Sequence, residues 1–336
     1  MTAISSPARG DSALLAAESL ARARSVVTPA MEAAVLRLCP ALRPAVREHL
    51  AGGGKFVRAG ITLVSAAAVG ADAGAGVVGA VAIEMVHNFS LVHDDIIDGD
   101  LERRHRPTLW AEHGVGHAII AGDALVTLAF QILLEEPTAE RVRAAARLAE
   151  ATQAMIAGQA EDMASELLDS LSVEECLHME AGKTGALLSC AASMGALLAG
   201  APAPTVDALA DFGRHLGIAF QAVDDVLGIW GEPSVTGKPV GNDLRQHKKS
   251  LPVAIALARG TDLPAGLGCL HERELSEAEV AKATLALEQC GARQETLAIG
   301  EVQLQAALES LGRVPLAIGP RTELAAIARF VTERDR

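Results

Sequence analysis

The run His93-Asp94-Asp95-Ile96-Ile97-Asp98-Gly99-Asp100 crowds four carboxylates together, and Arg103 and Arg104 follow at once. An apolar stretch from Val81 to Val92 leads into it with helical character. On an α-helix Asp94 and Asp98 are four residues apart and share a face, while Asp95 lies about 100° round. Carboxylates packed this closely repel one another unless a hard cation or a proton relieves them. A second pair, Asp224-Asp225, closes another apolar run that begins at Phe220-Gln221, and the stretch behind it delivers Lys238, Lys248 and Lys249. Taken alone, either pair reads equally well as a solvated acidic helix end. The apolar lead-in and its repetition argue otherwise. Paired acids followed by basic loops suit release of diphosphate from an organic ester. Magnesium would bridge the carboxylates to the leaving group, and Lys and Arg would neutralise its growing charge. No Ser-His-Asp or Cys-His set with workable spacing competes.

Two further features could serve an anion. Gly52-Gly53-Gly54-Lys55-Phe56-Val57-Arg58 leaves backbone amides open, with Lys55 and Arg58 three residues apart at a helix start. It is no Walker A loop, because Phe56 rather than Ser or Thr follows the lysine. By itself it reads as a helix end and a basic turn. His87 sits seven residues before Asp94, on the same helix face about two turns deeper. Such a histidine, alone, is more often a satisfied core residue than a ligand.

The elements that must position these groups are helical. With 336 residues the chain can bury a large core, and half of it is hydrophobic, mostly small side chains of high helix propensity. Helices are expected over about 12–38, 41–51, 56–69, 75–98, 117–134, 138–168, 172–182, 184–200, 205–229, 250–258, 276–290, 293–311 and 319–333. Pro40, Pro107, Pro137 and Pro233 fall between them. No stretch alternates convincingly with period two, and no linker divides the chain. The expectation is one all-α domain from residue 12, after a disordered segment over residues 1–11. A formal net charge of −13 argues against nucleic acid as a partner. The five cysteines are scattered without CxxC spacing, which favours reduced thiols and a cytoplasmic protein. No signal peptide is read at the N-terminus. Gly185 to Val206 is uncharged but broken by Pro202 and Pro204, so a core helix is preferred to an integral membrane segment.

In order along the chain stand GGKxxR at 53–58, EMVHNFSLVHDDIID at 84–98, RR at 103–104, GD at 122–123 and GQxxD at 158–162. KTG at 183–185, FQAVDD at 220–225, GK at 237–238 and DLxxxKKSLP at 243–252 complete the set. This series resembles the trans-type isoprenyl diphosphate synthases, the polyprenyl synthetase family, from about residue 20 almost to the end. The resemblance implies an all-helical isoprenoid synthase bundle around a deep central cavity, usually a homodimer. It implies a Mg2+-dependent prenyltransferase, with three ions per active site, that condenses isopentenyl diphosphate with an allylic diphosphate. Asp94, Asp98, Asp224 and Asp225 would hold the metal. Arg103, Lys183, Lys238 and Lys248 would contact the allylic diphosphate, and Lys55, Arg58, His87 and Arg104 that of isopentenyl diphosphate. Gln221 and Thr184 would lie by the reacting carbons. Orientation and electrostatics would supply the catalysis, with no protein nucleophile.

The family's second motif usually carries a third aspartate, where this chain has Gly228. Asp224 then lacks its partner one turn on, and one magnesium is expected to rely more on water. Phe89 and Ser90, five and four residues before Asp94, fall where the family floors its product cavity. One aromatic beside a small residue resembles the enzymes that stop at twenty carbons, so geranylgeranyl diphosphate is expected, with farnesyl diphosphate the alternative. A class I terpene cyclase on the same fold would have no use for Lys55, Arg58, His87 and Arg104 together. A non-catalytic regulatory subunit would be expected to lose the first acidic motif, which is intact here.

Overall fold

The computed structural model describes residues 9–165, 168, 170–232, 240–264 and 275–333. The architecture is all-α. Helices α1 (Arg9–Val35), α2 (Arg43–Ala51), α3 (Val57–Ala68), α4 (Val77–Ile97), α5 (Leu109–His113), α6 (Val115–Leu134) and α7 (Ala139–Ser165) come first. Then follow α8 (Val173–Glu180), a π-helical turn over Ala181–Gly185, α9 (Ala186–Leu198) and α10 (Ala203–Trp230). The last are α11 (Asn242–Arg245), α12 (Leu251–Ala258), α13 (Glu277–Gln289), α14 (Ala292–Ser310) and α15 (Ile318–Thr332). Ser172 and Ser276 each close a reciprocal capping box with a glutamate three residues on, which fixes where α8 and α13 begin.

The chain falls into two compact units, each built from three separate stretches, so no single linker joins them. Unit 1 comprises Met1–Glu150, Cys190–Ala210 and Ser310–Phe330. In it α4 packs along α6 and against α3, around Ile61, Ile83, Met85, Leu125, Leu128 and Met194, all at most 1% exposed. Unit 2 comprises Ala151–Ser189, Asp211–Glu309 and Val331–Arg336. Its core gathers Ile229, Leu244, Leu251, Val253, Ile255 and Leu287.

The helical periodicity reads most of these elements correctly. It misses a two-stranded hairpin, Glu102–Arg103 paired with Arg106–Pro107, and the short helices α5 and α11. Strands two residues long have no room to alternate. Of the segment expected to be disordered, residues 1–8 lie outside the described residues, whereas 9–11 already belong to α1. Asp11 there suits the positive end of the helix dipole. Helix α4 with the turn before it (Gly74–Ile97) and helix α6 are long and apolar enough to cross a membrane by composition alone. Gly185–Val206, weighed for that role above, is not among them.

Close approach within unit 1 rests on Gly195. A Cβ there would lie 2.0 Å from the Thr62 carbonyl oxygen and 2.7 Å from the Ala66 amide, both backbone atoms that cannot swing aside. Gly195→Ala should therefore destabilise the protein by about 1–3 kcal/mol, as overpacking does. Gly116→Ala, where a Cβ meets nothing within 4 Å, should change stability by less than about 0.5 kcal/mol. Urea unfolding of the two variants checks this, and equal midpoints would refute the close-packing argument.

Candidate active site

Helix α4 carries the first acidic motif to its C-terminal end. Carboxylates there oppose the helix dipole, and no basic residue stands in the last turn to offset them. The two neighbours Asp94 and Asp95 diverge. Asp95 points inward, 1% exposed, and accepts a hydrogen bond from Arg103 Nε at 2.7 Å. Burial pushes its pKa up, and Arg103 opposes that shift. Asp94 is half-buried and Asp98 is exposed, one turn apart, with the Asp98 amide donating to the Asp94 carbonyl at 2.8 Å. Two oxygen-rich side chains on one helix face, one turn apart, suit a hard divalent cation.

The hairpin after α4 places the arginines. Its two turn residues, Arg104 and His105, adopt φ of 54° and 59°, the left-handed region that a tight two-residue hairpin demands. Arg104 thereby reaches the glycine loop, where a Cβ on Gly54 would lie 3.4 Å from its Nη1. The same loop is held by Arg24, which donates to the Gly54 carbonyl and lies over the Phe56 ring at 5.4 Å. Phe56 starts α3 in the left-handed region, φ 52°. Lys55 sits 5.9 Å from the Phe330 ring centre.

Arg58 Nη1 lies 3.3 Å from His87 Nε2, so the guanidinium donates and the imidazole accepts. Burial first, then Arg58, Arg104 and Arg103, hold the His87 pKa well below its ordinary value. His87 is therefore neutral, with its proton on Nδ1. Buried Glu84 accepts from the Ala59 amide at 3.1 Å and so ties α4 to the first turn of α3. Unit 1 thus brings together Arg58, His87 and Arg104, around which positive charge exceeds negative. That arrangement fits a polyanion. A cavity of about 590 Å³, counting its open mouth, lies beside it and is lined by His49, Asn88, Asp95, Arg103, Arg104 and Arg106 among others.

In unit 2 the π-helical turn carries Lys183 and Thr184. Single π turns inside longer helices recur at functional sites. Gly158 of α7 lets this turn come close, since a Cβ there would lie 2.3 Å from the Lys183 amide nitrogen. Lys183 Nζ pairs with Asp162 at 2.5 Å. From Thr184 a chain of hydrogen bonds runs inward. Its Oγ1 donates to Gln221 Oε1 at 2.9 Å, and Gln221 Nε2 donates to Asp225 Oδ1 at 2.9 Å. Asp225 Oδ2 accepts from the Leu251 amide at 2.8 Å.

Asp225 is buried, and that burial raises its pKa to about 6. It faces Glu180, whose pKa burial, and then the Asp225 charge, push well above the ordinary carboxylate range. Both Asp225 oxygens are thus engaged within unit 2, where the side chain anchors Gln221 and the start of α12. Asp224 is exposed on the next step of the helix. Lys249 is buried and donates to the Ser165 carbonyl at 2.6 Å, while half-buried Lys248 precedes it. Lys238 lies outside the described residues.

Several groups were not singled out from the sequence. Asp162, Glu84 and Asp243 stand inside the quoted motifs without assigned roles. Glu84 precedes His87 by three residues, a spacing that already places both on one face. Asn88 lies in the same motif, and His49, Arg24 and Glu180 lie outside every quoted motif.

The sequence profile of the polyprenyl synthetase family matches residues 40–287. The chain is 40% identical over 331 residues to the (2E,6E)-farnesyl diphosphate synthase of Mycobacterium tuberculosis, covering 94% of this chain and 92% of that one. It is 41% identical over 287 residues to a geranylgeranyl diphosphate synthase of the same organism, covering 84% and 80%. Among solved structures, a polyprenyl synthetase from Streptomyces coelicolor A3(2) superposes with a TM-score of 0.87 at 45% identity, covering 94% of this chain and 98% of that one.

His49 gives this region a pH signature. Burial, then the Arg103 charge, lowers its pKa from 6.5 to about 4. Between those values the unfolded chain takes up a proton that the folded one refuses. Stability present above pH 6.5 is thus lost as the pH falls toward 4. By pH 5 the loss from this group is about 2 kcal/mol. His49→Gln should therefore lose about 2 kcal/mol less than the wild type between pH 7.5 and 5, read by urea unfolding at each pH. Parallel curves for the two proteins would show that His49 is not held neutral.

Proposed function

The chain belongs to the polyprenyl synthetase family and is a trans-prenyl diphosphate synthase, and we propose that its main product is geranylgeranyl diphosphate. On this reading it elongates allylic diphosphates (dimethylallyl, geranyl and farnesyl) with isopentenyl diphosphate. The observation that carries the two-substrate reading is the gathering of Arg58, neutral His87 and Arg104 beside the glycine loop. An enzyme that only ionised and cyclised one diphosphate would not need this second anion site. Lys55 belongs with this group, which binds the diphosphate of isopentenyl diphosphate.

Asp94, Asp98 and Asp224 are the groups that would hold metal. Magnesium, on which the family in general depends, supplies charge neutralisation for a departing diphosphate. Lys183 contacts the allylic diphosphate, together with Arg103, Lys238 and Lys248. As the allylic C–O bond breaks, its electron pair leaves with the diphosphate, and these cations stabilise the charge that develops there. The isopentenyl double bond attacks the allylic cation. A proton then passes to the departed diphosphate, which regenerates a double bond. Gln221, held from both ends by Thr184 and Asp225, keeps its amide dipole aligned beside the reacting carbons. Asp225 positions Gln221 rather than metal. The exposed apolar side chains of Ile119 and Ile120 on α6 support a homodimer as the working form.

Product length follows Phe89 and Ser90. Phe89 is nearly buried, 8% exposed, with its ring edge-on to His93 at 4.9 Å, and Ser90 is small. Each added isoprene unit needs roughly one more helical turn of depth, about 5 Å. A farnesyl product is the second reading, favoured by the name of the Mycobacterium tuberculosis relative that matches 94% of the chain. Incubation with magnesium, labelled isopentenyl diphosphate and each allylic primer, followed by chromatography before and after phosphatase treatment, tests both readings. Linear twenty-carbon alcohol released by phosphatase supports the first. A product that stays at fifteen carbons overturns it.

Arg58→Ala should raise the KM for isopentenyl diphosphate at least about tenfold, as expected for loss of a hydrogen bond from a charged group. The KM for the allylic primer should stay within about twofold, because only one of the two diphosphates loses a contact. Equal rises for both substrates would defeat the assignment. Ser90→Phe should shorten the main product by one isoprene unit and Phe89→Ala should lengthen it. Unchanged product length in both variants would mean that this floor does not measure the chain.

A further inference from the structure

Gly228 follows Asp224 by four residues on α10, so the two positions share a face. In the first motif that spacing supplies the Asp94–Asp98 pair. Here the second position has no side chain, and the structure shows what fills the space. A Cβ on Gly228 would lie 1.9 Å from Asp243 Oδ2, 2.5 Å from its Cγ and 3.0 Å from its Oδ1. The volume that a third aspartate would need is already occupied by a carboxylate, delivered from a different element.

The backbone that carries it is held in place. The Gly241 amide donates to the Ile229 carbonyl at 3.1 Å, which ties the returning chain to the end of α10. Gly241 turns with φ 73° into α11, the short helix that carries Asp243. Leu244 beside it is fully buried in the core of unit 2. The Lys248 amide donates to the Asp243 carbonyl at 2.9 Å, and Arg245 clasps Glu277 with two nitrogens, Nε at 3.1 Å and Nη2 at 2.8 Å. Anchoring on three sides of one residue fixes where its side chain can go.

We propose that Asp243 is the second metal-binding carboxylate of this wall, standing in for the aspartate that position 228 lacks. The inference rests on the reading that Asp224 holds magnesium. Hard oxygen donors at this place suit magnesium, which is commonly bound by one or two carboxylates together with phosphate oxygens and water. The expectation that the metal at Asp224 must lean more on water is thereby replaced. The missing donor is restored from a residue fifteen positions away, and Gly228 is the vacancy that admits it.

A carboxylate swap tests this. Mn2+ is titrated into the full-length protein with inorganic diphosphate present, and bound ions are counted by electron paramagnetic resonance, a readout independent of turnover. Asp243→Asn should weaken at least one class of bound ion about tenfold or more. Gly228→Asp alone should weaken it too, because two carboxylates then compete for one space. Gly228→Asp combined with Asp243→Ala should bind within about threefold of the wild type. Asp224→Asn separates the two levels of the argument. If it leaves ion binding unchanged, the metal reading of this wall fails, and the inference with it. If Asp224→Asn loses an ion while Asp243→Asn binds like the wild type, the inference alone is overturned. A double variant no better than Asp243→Ala would overturn it as well. Should Gly228→Asp not fold, judged by circular dichroism, the comparison of Asp243→Asn with Asp224→Asn still decides.

Discussion

The ion pair between Arg103 Nε and Asp95 Oδ1 is the contact that organises the acidic end of α4. It turns one carboxylate of the first motif away from its neighbours and leaves Asp94 and Asp98 one turn apart. The pair also seeds the hairpin, since the Asp100 amide returns to the Asp95 carbonyl and Thr108 and Trp110 both donate to the Asp100 carbonyl. Because Asp95 is almost fully buried, breaking the pair would leave a buried charge uncompensated, which is far costlier than losing a surface bridge. Arg103, proposed above to meet a diphosphate, also holds the acidic helix end to the turn that presents Arg104.

Unit 2 solves the same problem differently. Its inward carboxylate, Asp225, is matched by the Gln221 and Leu251 amides rather than by a guanidinium. Both Asp-Asp pairs therefore split into an anchor that faces the core and an outward group, Asp95 against Asp94 and Asp225 against Asp224. The split follows from the 100° step between successive helical residues, which points adjacent acids in different directions. The buried partner fixes the helix's rotation and thereby aims the outward one.

Much of this was legible in the sequence. The apolar periods mark the long helices, and the spacing of Asp94, Asp98, Asp224, Arg58 and His87 marks the groups worth watching. What escaped depends on distance along the chain. Adjacent aspartates declare their divergence but not which one turns inward, since that is decided by Arg103 in one case and by the Leu251 amide in the other. The filling of the Gly228 position by Asp243 is equally invisible, because only folding brings those residues together. The hairpin escaped for another reason. Arg104 and His105 carry none of the Asn or Gly signature that such a turn normally shows.

That hairpin turn sets stability against activity within two residues. Non-glycine side chains in the left-handed region cost on the order of 1–3 kcal/mol each where the surroundings over-determine them. An Asn-Gly turn would relieve that strain and rank highly in any screen that rewards melting temperature alone. It would also remove the guanidinium that reaches the glycine loop. Directed evolution of this enzyme for heat tolerance would therefore tend to erase the residue here proposed to bind substrate, unless selection scored turnover at the same time.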